Sequence, residues 1–322
     1  MPPALTSSVW NRRSWLSAAA GVAGTTALPT SAWRQLAAAN EAKQAPGWID
    51  AHVHVWPALT NAFPLAKDFG PEVVQPSSFA PDELFSHCRP CGVDRIVLIQ
   101  MNFFGFDNSY MLDAIARHPG VFSGVAVIDH EQRDLNQTMK RMHEKGVRGY
   151  RLYATADNVK SWQASKPIEA MFRTGAELGQ AMCMLSDPEA IDGIEQLCSR
   201  HPQTAVVIDH FSRIGMRTSP TEEQLKTLCR LARYPKVYVK TSAFYALGKK
   251  LPPYTDLIAM IRRLLDAFGS ERLMWASDCP YQVEAPHTYE ASIALIRDRL
   301  DNISDEDRQN LLRKTAERVF FS

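Results

Sequence analysis

From Trp48 onward the chain alternates short β-rich runs with segments of helical periodicity, and it does so eight times. The runs are WIDAHVHV (48–55), DRIVLIQM (94–101), FSGVAVI (122–128), VRGYRLY (147–153), QAMCMLS (180–186), TAVVIDH (204–210), KVYVKTS (236–242) and RLMWASD (272–278). Most are continuously apolar rather than alternating, the pattern of parallel strands covered on both faces. Between them, segments such as LNQTMKRMHEKG, TEEQLKTLCRLARY and DLIAMIRRLLDAFG space their apolar residues by three and four, as amphipathic helices do. Units of roughly thirty residues have the size of a βα element. Eight of them predict an α/β fold of one domain, a (β/α)8 TIM barrel over residues 46–322. An open doubly wound sheet is the alternative. It usually carries a glycine-rich dinucleotide turn after its first strand, where this chain has His52-Val53-His54.

One connection is long. Residues 56–80 are rich in Pro, Asn and Ser and show no sustained period, which predicts a lid or binding loop over the barrel's C-terminal mouth. The last segment, SDEDRQNLLRKTAERVF, predicts a closing helix with Ser304 as N-cap and acidic residues in its first turn.

Residues 1–45 differ in kind. Asn11-Arg12-Arg13 precedes a mild apolar run, Leu16 to Leu28, and then small-residue sites, the layout of a cleavable export signal and linker. Arg12-Arg13, followed by Trp15 and Leu16, resembles a twin-arginine signal, so the expected location is periplasmic. The apolar run is too short and too rich in Gly, Ala and Thr for a stable membrane span.

Lys and Arg (36) nearly cancel Asp and Glu (35), so no global field favours nucleic acid or an anionic membrane. The expected partner is a small-molecule substrate, with homo-oligomerisation left open. The six cysteines are too scattered for a disulfide scaffold. Cys88-Arg89-Pro90-Cys91 has metal-ligand spacing, but no second pair completes a tetrahedral set; it reads as structural, or as a local disulfide.

His52 and His54, two apart on a strand, point the same way. On the first strand of a barrel they would project inward near the end where barrel enzymes keep their chemistry. His210 ends the sixth run and Asp278 the eighth. First and eighth strands are neighbours in a closed barrel, so these residues would converge. Three imidazoles and a carboxylate suit one divalent ion, Zn2+ first and Mn2+ second. Arg151 and Arg213 would bind a substrate carboxylate by paired hydrogen bonds, and Lys240 would supply a point charge. For each of these three, a structural ion pair is an equal alternative. His130, at the end of the third run, would lie on the same rim as a substrate donor, and Tyr281 would line the pocket.

The HxH opening, VIDHFSR, VYVKTSAF and LMWASDCP, in this order, resemble the amidohydrolase-related metal-dependent hydrolases, most of all the branch with sugar-acid and dicarboxylate lactonases. The resemblance implies a (β/α)8 barrel, hydrolysis of a cyclic ester or amide, and functional roles for His52, His54, His210 and Asp278. In the binuclear members a carboxylated lysine stands late on the fourth strand, where this chain has Arg151. Many members place a histidine on the fifth strand, where Cys183, Met184 and Ser186 stand here. The resemblance therefore implies one ion at most, and some lactonases of this branch work without any. Asp278 is then expected to act as general base on water, with His210 beside it. Related barrels use a similar set for non-oxidative decarboxylation, but the Trp275-Ala276-Ser277-Asp278-Cys279-Pro280 stretch is closer to the lactonase pattern. A non-catalytic binding protein would be expected to have lost at least one of the four residues.

Overall fold

The computed structural model describes residues 47–60 and 62–322; the export leader expected at 1–45 lies outside them. All eight expected strands form: β1 (Trp48–Val53), β2 (Val93–Ile99), β3 (Phe122–Ala126), β4 (Val147–Ala154), β5 (Ala181–Ser186), β6 (Val206–Ile208), β7 (Val237–Ser242) and β8 (Leu273–Ala276). They pair in parallel in the order β1 to β8, with helices in the connections, which is the (β/α)8 barrel. Their two apolar faces enter different cores. One packs under the outer helices; the other fills the barrel interior with residues such as Val97, Val125, Val207 and Met274, together with Phe320 from the final helix.

Closure between β8 and β1 comes from isolated contacts at the strand ends. Asp278 donates its N–H to the carbonyl of His52 at 2.9 Å, and His54 donates its own to that of Cys279 at 2.8 Å. Asp50 adds a side-chain rung, accepting the N–H of Ser277 at 2.9 Å on Oδ1 and the hydroxyl of Tyr289 at 2.7 Å on Oδ2. In a regular strand Asp50 and His52 would share a face. The β1–β2 register shifts between Asp50 and Val53, and this irregularity turns Asp50 toward the outer helix Tyr289–Arg297 while His52 faces inward.

β6 is only three residues long because the chain leaves it in a left-handed turn. His210, Phe211, Ser212 and Arg213 all have positive φ, from 51° to 55°. Each non-glycine residue held there costs about 1–2 kcal/mol. Burial of Phe211 and a 2.7 Å hydrogen bond between the Ser212 and Ser186 hydroxyls offset part of that. With about three residues per turn, the first and fourth members fall on one side, so His210 and Arg213 face the same space.

The long connection after β1 departs from the expectation of a lid. Its ends are zipped by reciprocal 2.9 Å hydrogen bonds between Trp56 and Phe79, and Ala66 donates to the carbonyl of Phe103. None of its described residues lines the cavity at the mouth. The closing segment is helical as expected, with a reciprocal Ser304–Asp307 capping box and a π turn at Asn310–Lys314. All six cysteines are free thiols, so no disulfide joins Cys88 and Cys91. No helix among the described residues is long and apolar enough to cross a membrane.

Candidate active site

A cavity of about 210 Å3 opens at the C-terminal mouth of the barrel, and His54, Arg151, His210, Arg213, Tyr245, Asp278 and Tyr281 are among its walls. Barrel closure brings the first and last motifs together as expected. Asp278 Oδ1 lies 3.2 Å from His54 Nε2 and 3.5 Å from His52 Nε2.

The hydrogen-bond pattern defines what this cluster can hold. His54 Nδ1 lies 2.8 Å from the carbonyl of Ile99, and a carbonyl only accepts, so Nδ1 carries the proton. In the neutral imidazole, Nε2 then presents a lone pair to Asp278 Oδ1. That oxygen is buried and has no hydrogen-bond partner. Facing lone pairs call for a cation or a proton between them. His52, His54 and Asp278 offer three ligand atoms, all within 4.8 Å of one another, a donor set that fits one divalent ion. His210 stands outside this convergent set, contrary to the four-ligand expectation. Its Nε2 faces the other carboxylate oxygen, Oδ2, at 3.8 Å, while its Nδ1 is 2.8 Å from the Ser242 hydroxyl.

Burial alone would push Asp278 toward its neutral form, but the neighbouring histidines, His210 foremost, hold the carboxyl below its ordinary range when they carry positive charge. His52 is driven the other way: burial first, then the charge of Lys240, keeps its ring neutral far below the usual histidine value. Burial likewise lowers His210.

Lys240 does not line the cavity, which corrects its expected role as a point charge for substrate. It is fully buried, with Nζ 3.0 Å from Asp209 Oδ1 and 3.1 Å from His52 Nδ1. Asp209, the residue before His210, is equally buried and also meets Arg151 at 3.5 Å. Burial would raise its pKa, yet the charge of Lys240 foremost more than compensates and keeps it ionised. This buried ion pair flanks the inner side of His52. Arg151 both joins it and lines the cavity, while its buried Nε has no hydrogen-bond partner. Arg213 lines the cavity with its charge countered by Asp187, 2.9 Å from Nε. Tyr281 lies with its ring centroid 6.1 Å from that of His54. His130 is not part of the site; it lines a separate hollow with Asp134 and Lys166.

Three participants were missed from the sequence. Asp209 was legible in principle, since it shares strand parity with the interior residue Val207. Asp50 stands beside the HxH motif, but its role needs the register shift. Tyr245, whose hydroxyl donates to Asp278 Oδ2 at 2.7 Å, carries no local signal.

A parallel eight-stranded barrel with two imidazoles and a carboxylate converging at its C-terminal mouth has the architecture of the metal-assisted hydrolases. The chain belongs to the amidohydrolase family, whose model matches residues 49–321. It is 27% identical over 238 residues to 4-sulfomuconolactone hydrolase of Hydrogenophaga intermedia, covering 73% of this chain and 75% of that one. It is 26% identical over 255 residues to L-fucono-1,5-lactonase of Burkholderia ambifaria, covering 74% and 82%. Among solved structures it resembles a Pseudomonas putida protein assigned as a 2-pyrone-4,6-dicarboxylic acid hydrolase, at 25% identity and a TM-score of 0.70, over 86% of this chain and 98% of the other. The protein is a hydrolase of this family, and both of these curated relatives bear the names of lactone hydrolases.

Proposed function

We propose that this protein is a lactonase that opens a small carboxylated or sugar-derived lactone by water attack assisted by Asp278. The observation that carries the reading is the buried, unpartnered Oδ1 of Asp278 between two imidazole nitrogens at the mouth of the cavity. All three relatives bear the names of lactone-opening hydrolases.

Asp278 takes a proton from water, and the water oxygen bonds to the ester carbonyl carbon. The carbonyl oxygen gathers charge, the ring C–O bond breaks, and the proton held by Asp278 passes to the departing ring oxygen. His210 is held through Nδ1 by the Ser242 hydroxyl, and in its Nε2–H tautomer it would donate to the developing oxyanion. Such a donor contributes about 3–4 kcal/mol. Arg151, which lines the cavity, binds a substrate carboxylate or carbonyl, and Arg213 and Tyr281 contact substrate nearer the rim. His52, His54 and Asp278 would hold one divalent ion, Zn2+ before Mn2+ by the mixed imidazole and carboxylate donors. When bound, that ion supplies Lewis acidity to polarise the carbonyl and acidify water. The paired arginines and the apolar run of residues 1–45 support export to the periplasm by the twin-arginine route.

The test is a pH-stat hydrolysis screen over sugar-acid lactones, unsaturated carboxylated lactones and cyclic imides, with chelation and metal add-back. Acid release with lactones supports the reading. Carbon dioxide release from aromatic or enol acids, with no lactone turnover, would replace it with a lyase. Turnover unaffected by chelators in metal-free protein would remove the ion. Changing Arg12-Arg13 to Lys-Lys should block export, and unchanged secretion rejects that route.

A further inference from the structure

The carboxylate of Asp278 has two unequal oxygens. Oδ1 faces the imidazoles of His52 and His54 with no hydrogen bond of its own. Oδ2 accepts the hydroxyl of Tyr245 at 2.7 Å. A carboxylate turns about a broad, roughly two-fold torsion, so nothing intrinsic keeps one oxygen on the imidazole side. We propose that Tyr245 is the positioning residue that locks this torsion, reserving Oδ1 of Asp278 for the water proton and for a cation shared with His52 and His54.

The phenol is built to do this. Tyr245 follows β7 after a left-handed residue, Ala243 at φ 57°, in a single turn whose first member, Phe244, is buried against Phe211 and Tyr254. The Tyr245 ring packs near Tyr281 and His287, with centroids 6.1 and 6.0 Å away. His287 is itself held by the Tyr254 hydroxyl at 2.9 Å, so one of these neighbours is fixed in place. Burial and the adjacent Asp278 charge push the Tyr245 hydroxyl well above the ordinary phenol range, and it remains a donor. Its oxygen touches Asp278 rather than the barrel frame, which separates orientation of the carboxylate from support of the fold.

The proposal rests on the lactonase reading for one arm of its test and stands apart from it in the other. Tyr245→Phe keeps the ring and removes the donor. Its melting temperature should equal that of the wild type. On a lactone the wild type hydrolyses, kcat should fall about 10- to 100-fold, the usual effect of losing a group that orients a ligand, with KM nearly constant. In a titration of apo protein with Zn2+, affinity should weaken by a similar factor. In an Asp278→Asn background the same change should cost less than about two-fold in Zn2+ affinity, because no carboxylate remains to be oriented. An equal loss in both backgrounds would mean Tyr245 only supports the local structure, and retained kcat and Zn2+ affinity would overturn its role outright. If no lactone is hydrolysed but the Zn2+ cycle behaves as stated, the lactonase reading falls and the positioning role stands. If the wild type hydrolyses lactones without binding Zn2+, the kcat and KM split decides. A wild type that does neither overturns both.

Discussion

The carboxylate of Asp50 accepts the backbone N–H of Ser277 at 2.9 Å, doing between the eighth and first strands what ladder hydrogen bonds do elsewhere in the barrel. The same side chain receives the Tyr289 hydroxyl and the N–H of His52. It thereby fixes the distance between the strand that carries the paired imidazoles and the turn that carries Asp278. Burial raises its carboxyl to about 6 in spite of these donors.

Truncating this clasp should loosen both fold and site. Asp50→Ala leaves three buried donors without their acceptor, and should lower stability by about 3 kcal/mol, given 1–3 kcal/mol for an orphaned buried group. Asp50→Asn, which can still accept the two N–H groups and donate to the tyrosine oxygen, should lose far less. Chemical denaturation of the two variants measures this. An alanine variant as stable as the wild type would show that the strand ends hold without the clasp.

The left-handed turn after β6 makes a prediction of unusual sign. At an ordinary position glycine is less stable than alanine by roughly 0.5–1 kcal/mol. At Ser212, where φ is 54°, both substitutions lose the hydrogen bond to Ser186, but only glycine escapes the left-handed penalty. Ser212→Gly should therefore be more stable than Ser212→Ala by about 1 kcal/mol. Paired urea melts decide the sign, and the ordinary order would mean that this turn stores no strain.

The buried Lys240–Asp209 pair predicts asymmetric mutational costs. Lys240→Met leaves an ionised Asp209 with Arg151 at 3.5 Å and a neutral imidazole, and should cost about 3–5 kcal/mol. Adding Asp209→Asn should restore much of that loss, because the uncompensated charge is then gone. Equal stability of the single and double variants, read by denaturant midpoints, would argue against an ion pair in this core.

His201, set against Phe172 with ring centroids 4.9 Å apart, links stability to pH. Burial, aided by Arg200, lowers its pKa in the folded chain, so the unfolded chain binds the proton first as pH falls. Its contribution is present above the ordinary histidine value of about 6.5 and is lost on acidification through it. The stability difference between wild type and His201→Gln should shift against the wild type between pH 7.5 and pH 5.5, values chosen to bracket roughly that pKa. A pH-independent difference would contradict the linkage.

Strand order, the paired histidines of β1 and the carboxylate after β8 were legible in the residues themselves. Apolar runs and helical spacing are local properties, and a closed parallel barrel has only one way to bring its first and last strands together. The sequence alone thus determined the architecture and the His52, His54 and Asp278 cluster. The tertiary structure decided the rest: the irregularity that turns Asp50 away from His52, the left-handed turn that aims His210 and Arg213 together, the burial of Lys240 on Asp209, and the phenol of Tyr245 on Asp278. Each of these depends on which partner meets a side chain after the barrel closes. A lysine or an aspartate is costly or stabilising inside a protein according to that partner, and no spacing along the chain specifies it.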